Sequence, residues 1–120
     1  MTSQAQAGGR QSERQIQKAV LDHWRALGLP GTLIAAIPNQ KAHGQYGLTK
    51  GLPDLLVLAP GLPLGFIELK TDKGRISEHQ ESFGAMCDRL KIPWRATFGR
   101  DEPILLLEDW GVIKKRGSLQ

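Results

Sequence analysis

Two apolar runs, Pro53–Ala59 (PDLLVLA) and Pro63–Lys70 (PLGFIELK), stand on either side of Pro60-Gly61-Leu62, and no other feature of the chain constrains its fold as tightly. A Pro-Gly break between two short runs of branched and aromatic residues predicts a tight β-hairpin. Both faces of both strands are apolar, so the hairpin is expected in the middle of a sheet that is covered on its two sides.

The flanking sequence supplies the rest of that sheet and its cover. From Ser12, SERQIQKAVLDHWRAL places Ile16, Val20, Trp24 and Leu27 at steps of four and three. This predicts an amphipathic helix opened by a Ser12–Gln15 capping box and stopped by Gly28 and Pro30. Thr32–Ile37 (TLIAAI) lies between Pro30-Gly31 and Pro38, too short for a stable helix, and predicts a strand. Pro38–Leu52 is rich in Gly, Asn, Gln and Lys and predicts a loop of a length that usually carries function. Ser77–Leu90 has a second capping-box spacing, Ser77 with Gln80, and sets Phe83, Met86, Cys87 and Leu90 along one helical face. Pro93–Phe98 (PWRATF) predicts a fourth strand, and Asp101 with Pro103 opens a final helix to about Trp110. The expected fold is α/β, a four-stranded mixed sheet flanked by helices in the order α-β-β-β-α-β-α.

A chain of 120 residues, 40% of them hydrophobic, suits one compact domain with one core. The expected organisation is a polar tail over residues 1–11, one folded domain over 12–113 and a basic tail over 114–120. A formal net charge of +4 permits a polyanionic partner without distinguishing a nucleic-acid binder from other basic proteins. Cys87 is the only cysteine, so neither an intramolecular disulfide nor an all-cysteine metal site can form within one chain. The opening MTSQAQAGGR has no apolar centre and no later run approaches a membrane span. A soluble, cytoplasmic protein with no membrane partner is expected.

The hairpin also carries the residues with chemistry. If it pairs symmetrically about Gly61, Asp54 stands opposite Glu68 with Cβ atoms about 5 Å apart, and strand alternation puts Lys70 on the face of Glu68. Two carboxylates held this close in an apolar sheet repel each other and are costly to desolvate. A hard divalent cation such as Mg²⁺ compensates them with oxygen ligands. An ammonium beside the cation can hold or deprotonate an attacking water and steady a phosphorane-like transition state. Asp54, Glu68 and Lys70 together therefore suit phosphodiester hydrolysis. The plainer reading makes Asp54 a turn residue and Glu68 and Lys70 a solvated pair at a strand end. It is weakened because Glu68 follows Phe66 and Ile67 inside an apolar run, where an ionised residue needs a partner.

These residues are similar to a known pattern. Gly51-Leu52-Pro53-Asp54, then Gly65-Phe66-Ile67-Glu68-Leu69-Lys70-Thr71, then Gly74, Ile76-Ser77 and Gln80 resemble the virus-type replication-repair nuclease (VRR-NUC) domain, a branch of the PD-(D/E)xK nucleases. The resemblance runs from about Glu13 to Val112. It implies a restriction-endonuclease-like core in a stand-alone, phage-like or bacterial member. It also implies a Mg²⁺- or Mn²⁺-dependent endonuclease that acts on branched DNA such as Holliday junctions, in the manner of DNA repair enzymes, as a homodimer. The metal ligands it implies are Asp54, Glu68 and the Leu69 carbonyl, with Glu13 as a further ligand to the metal or its water. Gln80 would help to orient the nucleophile or the scissile phosphate, and Asn39 would contact substrate.

Each supporting residue also has an ordinary role. Glu13 suits the positive end of a helix dipole, Gln80 completes a capping box, and Asn39 is a turn former. Lys41, His43, Gln45, Tyr46 and Lys50 in the loop before the motif can grip phosphates or stack on an unpaired base, or can form a solvated loop. Lys73 and Arg75, flanking Gly74, are DNA-backbone contacts or a charged turn. His23 and His79 read as exposed helix residues, with no second ligand at metal spacing.

Two other functions share these features. One is a restriction-type enzyme or exonuclease of the same superfamily, since the motif fixes chemistry while the surrounding surface fixes substrate. The other is a DNA-binding module without turnover, which has no reason to keep all of Asp54, Glu68 and Lys70. For a homodimer, Trp94, Phe98, Leu105 and Trp110 are the expected interface, as apolar residues beyond the needs of one small core.

Overall fold

A computed structural model of the chain describes residues 12–38, 47 and 49–116. Its elements follow the expected order: α1 (Glu13–Leu27), β1 (Leu33–Ala36), β2 (Leu55–Ala59), β3 (Leu62–Lys70), α2 (Glu78–Arg89), β4 (Trp94–Phe98) and α3 (Asp101–Asp109). Both capping boxes form. Ser12 and Ser77 each accept from the backbone amide three residues on, and Gln15 and Gln80 each accept from the cap residue's own amide.

The four strands make one sheet in the order β1-β2-β3-β4, with the hairpin strands in its centre. The first three strands run antiparallel, whereas β4 lies parallel to β3, reached through the α2 crossover. The sheet is mixed, as expected.

The hairpin turn is tighter than Pro60-Gly61-Leu62. Ala59 already pairs with Leu62, leaving Pro60 and Gly61 alone in the turn, with Gly61 at φ 81°. A bulge then restores the register that a Gly61 midpoint gives. Val57 pairs with Gly65 and Leu55 with Ile67, so two steps on β2 face three on β3. Pro63 lies within the bulge, where the missing amide costs no ladder bond.

Strand alternation divides the sheet into two faces. Leu55, Val57, Ala59, Ile67 and Leu69 turn toward α1 and α3 and bury against Ile16, Val20, Ile104 and Leu107. The other face carries Phe66, Glu68 and Lys70 toward α2, where Phe66 and Phe83 meet edge to face at 5.2 Å.

Some expected core positions differ. Leu27 is exposed and Leu21 packs against the core in its place, because the sheet lies across the stripe Ile16, Val20, Leu21 and Trp24. On α2, Phe83, Gly84 and Cys87 face inward, while Met86 and Leu90 are exposed. Gly84 decides this. A Cβ there would stand 2.8 Å from the Trp94 ring, so the helix approaches β4 through its glycine and turns Met86 and Leu90 away.

The C-terminal segment ties the α1 end of the molecule together. Leu29 donates to the Val112 carbonyl at 2.9 Å and Lys114 to the Leu27 carbonyl at 2.9 Å. Arg116 pairs with Glu108 at 2.8 Å. Among the described residues, no helix is long and apolar enough to cross a membrane.

Candidate active site

The start of β2 and the end of β3 bring Asp54, Glu68 and Lys70 to one end of the sheet. Asp54 lies one residue before the Leu55–Ile67 pair, so the same register sets it opposite Glu68. Gly51 fixes the approach to it. At φ 91°, its α-carbon packs against the His79 carbonyl of α2, where a side chain has no space.

Leu69 donates its amide hydrogen to Asp54 Oδ2 at 2.7 Å. In a strand the amide and carbonyl of one residue leave on the same side, so the Leu69 carbonyl also points toward Asp54. The neighbouring residues point the other way. The Lys70 carbonyl accepts from Gly99 at 2.8 Å, and the Glu68 carbonyl accepts from Thr97 Oγ1 at 3.5 Å, both on the β4 side.

Glu68 is the most enclosed charge described, at 2% exposure. Its Oε2 accepts from Gln80 Nε2 at 2.7 Å and lies 3.8 Å from Lys70 Nζ. Its Oε1 is buried with no hydrogen-bond partner. The Glu68 pKa is raised from 4.5 to about 8, with burial the largest cause. The nearby Asp54 charge is the next cause, Lys70 opposes it, and the Glu13 charge adds a little. As two carboxylates, neither group can donate to the other. One shared proton or one bound cation is needed to satisfy the pair.

The acid pair, the free Glu68 Oε1 and the adjacent Leu69 carbonyl form an all-oxygen donor set, which fits a hard divalent cation. Among the described residues, no group of three His, Cys, Asp or Glu side chains converges. Glu13 is exposed at the start of α1, and its charge reaches Glu68 without joining such a cluster.

Gln80 closes the α2 capping box through Oε1, the ordinary role read for it, and through Nε2 it donates to Glu68, a contact the sequence did not show. Lys73 and Arg75 are exposed in the turn after β3, which folds back so that Gly74 sits against Lys70. Lys50 is exposed beside Gly51. Asn39, Lys41, His43, Gln45 and Tyr46 lie outside the described residues. His79 is exposed as expected, but His23 is half-buried, with its Nε2 sheltered and unpartnered. The helical pattern of α1 did not show this; His23 lines a groove that also includes Arg100, remote in the chain.

Two solved structures share this architecture. One, described as a VRR_NUC domain, matches with a TM-score of 0.61 at 20% identity, over 83% of this chain and 99% of that chain. Another, described as a VRR_NUC domain protein, matches with a TM-score of 0.71 at 20% identity, over 83% of this chain and 88% of that chain. The chain has the VRR-NUC fold. No family model and no curated protein matches it. In this VRR-NUC fold the roles of individual residues rest on the chemistry of the site itself.

Proposed function

We propose that this chain is a divalent-metal-dependent, structure-specific endodeoxyribonuclease of the VRR-NUC branch of the PD-(D/E)xK nucleases, cutting branched DNA such as Holliday junctions. The observation that carries the proposal is Glu68, 2% exposed, with an unpartnered Oε1, beside Asp54 and 3.8 Å from Lys70 Nζ. A purely structural role gives no reason to bury Glu68 beside a second acid with so little compensation.

Asp54, Glu68 and the Leu69 carbonyl would hold Mg²⁺ or Mn²⁺. The ion, when bound, neutralises the acid pair, polarises the scissile phosphate and lowers the pKa of the attacking water. The Leu69 amide fixes Asp54 through Oδ2, and Gln80 fixes Glu68 through Oε2, so one oxygen of each carboxylate is left for the ion. Lys70, held in the sheet and 8% exposed, presents its ammonium where charge develops on the phosphate. Glu13 acts at longer range, by adding negative charge and by holding water at the rim. Lys50, Lys73 and Arg75 are proposed contacts to the DNA backbone, together with Asn39, Lys41, His43 and Tyr46 in the preceding loop. The working form is a cytoplasmic homodimer, which gives a two-fold junction two sites.

The test is incubation of the purified protein with matched linear, flap and four-way DNA, in Mg²⁺, in Mn²⁺ and in EDTA. Metal-dependent cutting of the branched substrates is expected. Absence of cutting on all three DNAs in either metal would overturn the proposal.

A further inference from the structure

A second basic surface lies at the same end of the sheet and has no part in the reading above. Gln15, Lys18, Ala19, Asp22 and His23 form one stripe of α1, on the flank of the helix beside its core-facing stripe. Arg100, just before α3, closes the other wall, and the open groove between them is about 510 Å³.

Its position relative to the acid pair follows from the backbone. Gly99, the residue before Arg100, donates to the Lys70 carbonyl, so the Arg100 wall continues from the end of the Lys70 strand. The Glu13 charge reaches Glu68, and Lys18 lies five residues further along the same helix, about 7.5 Å at 1.5 Å per residue. Along one strand of duplex DNA a phosphate recurs about every 3.4 Å of axis, so that offset spans about two of them. A strand whose scissile phosphate sits at Asp54 and Glu68 can therefore place a phosphate a few nucleotides away in this groove.

The groove is chemically suited to an anion. Lys18 and Arg100 supply charge and Gln15 an amide, and His23 lies in its lining. Asp22 is the opposing group. Its carboxylate accepts from Lys18 Nζ at 2.6 Å and lies 3.6 Å from Arg25, and the Lys18 bond holds its pKa below the ordinary value. In the free protein Asp22 occupies the ammonium that a phosphate would use.

We infer that the α1–Arg100 groove is a second phosphodiester-binding site, which seats the DNA backbone beyond the cut and in which Asp22 competes with the DNA for Lys18. The inference rests on the nuclease reading and extends it from the reacting phosphate to the path of the strand. All the side chains it needs except His23 are at the surface, so their replacement does not disturb the core.

The experiment measures binding of fluorescein-labelled branched DNA by anisotropy in EDTA, over a series of KCl concentrations, so that no cleavage is required. Lys18→Gln with Arg100→Gln is compared with wild type, with Asp22→Asn and with Arg95→Gln, an exposed arginine on β4 outside the groove. The double variant is expected to bind about tenfold or more weakly, with a salt slope shallower by about 1 per lost phosphate contact. Asp22→Asn is expected to bind more tightly than wild type, because Lys18 is released. Unchanged binding in the double variant, a loss no larger than that of Arg95→Gln, or weaker binding by Asp22→Asn would overturn the inference. A wild-type protein that cuts no DNA, in the separate Mg²⁺ and Mn²⁺ assays, would remove the nuclease reading, while the expected changes in anisotropy would still establish the groove.

Discussion

Gln80 donates through Nε2 to Glu68 Oε2 at 2.7 Å while its Oε1 accepts the Ser77 amide that starts α2. One side chain thus couples the start of a helix to the orientation of a buried acid. The coupling has a separable consequence. Gln80→Ala removes both bonds and is expected to cost about 0.3–1.5 kcal/mol of stability as well as activity. Gln80→Glu keeps the oxygen that caps α2 but loses the amide donor and sets another carboxylate against Glu68. Thermal melts and cleavage rates should show near-normal stability and low activity in Gln80→Glu. Normal activity there would mean that Glu68 does not need this bond.

Asp54→Asn, Glu68→Gln and Lys70→Ala are each expected to lower the cleavage rate by at least about 10²-fold. DNA affinity in EDTA should change little, because these groups act on the reacting phosphate. Turnover near wild type in any one of them would remove that residue from the proposed chemistry.

Stability should depend on pH through Glu68. Its folded-state pKa is raised from 4.5 to about 8, so between those values the folded protein binds more protons than the unfolded chain. The stabilisation is complete below the lower value and is lost as pH rises through the upper one. Melting temperatures in EDTA, taken from about pH 5 to about pH 8.5, should fall more steeply in wild type than in Glu68→Gln. Mg²⁺ should flatten the wild-type curve. Parallel curves for the two proteins in EDTA would show that Glu68 carries no such burden.

Gly84→Ala tests the approach of α2 to β4. Alanine improves helix propensity by about 1 kcal/mol, but its Cβ would meet the Trp94 ring at 2.8 Å. Overpacking of this kind costs about 1–3 kcal/mol, so denaturant unfolding should find the variant less stable. A more stable variant would mean that Trp94 moves aside freely.

Light scattering at micromolar concentration is expected to give twice the chain mass of 13.2 kDa, as the proposed homodimer requires. A strict monomer that still resolves junctions by paired cuts would defeat the dimer and leave the nuclease reading intact. Among the residues expected at such an interface, Leu105 is exposed, whereas Trp94, Phe98 and Trp110 are half-buried. Trp94 packs against Gly84, and Trp110 against Gly65. The aromatic surplus suggested by composition is therefore mostly spent covering the sheet.

The amino-acid sequence by itself determined the element order, both capping boxes, the central hairpin and the register that sets Asp54 opposite Glu68. Each is a local relation. A cap needs partners three residues apart, a hairpin needs a turn and two alternating runs, and a register follows from the turn. Even the bulge at Pro63 left that register as the symmetric reading had it. Only the tertiary structure decided which helical stripe meets the sheet, so Met86 and Leu90 were released to solvent by the contact of Gly84 with Trp94. It also decided that Gln80 reaches Glu68, that Glu68 Oε1 is left without a partner, and that Arg100 closes a groove over His23. These depend on the distance between elements remote in the chain, which packing sets and local periodicity does not encode.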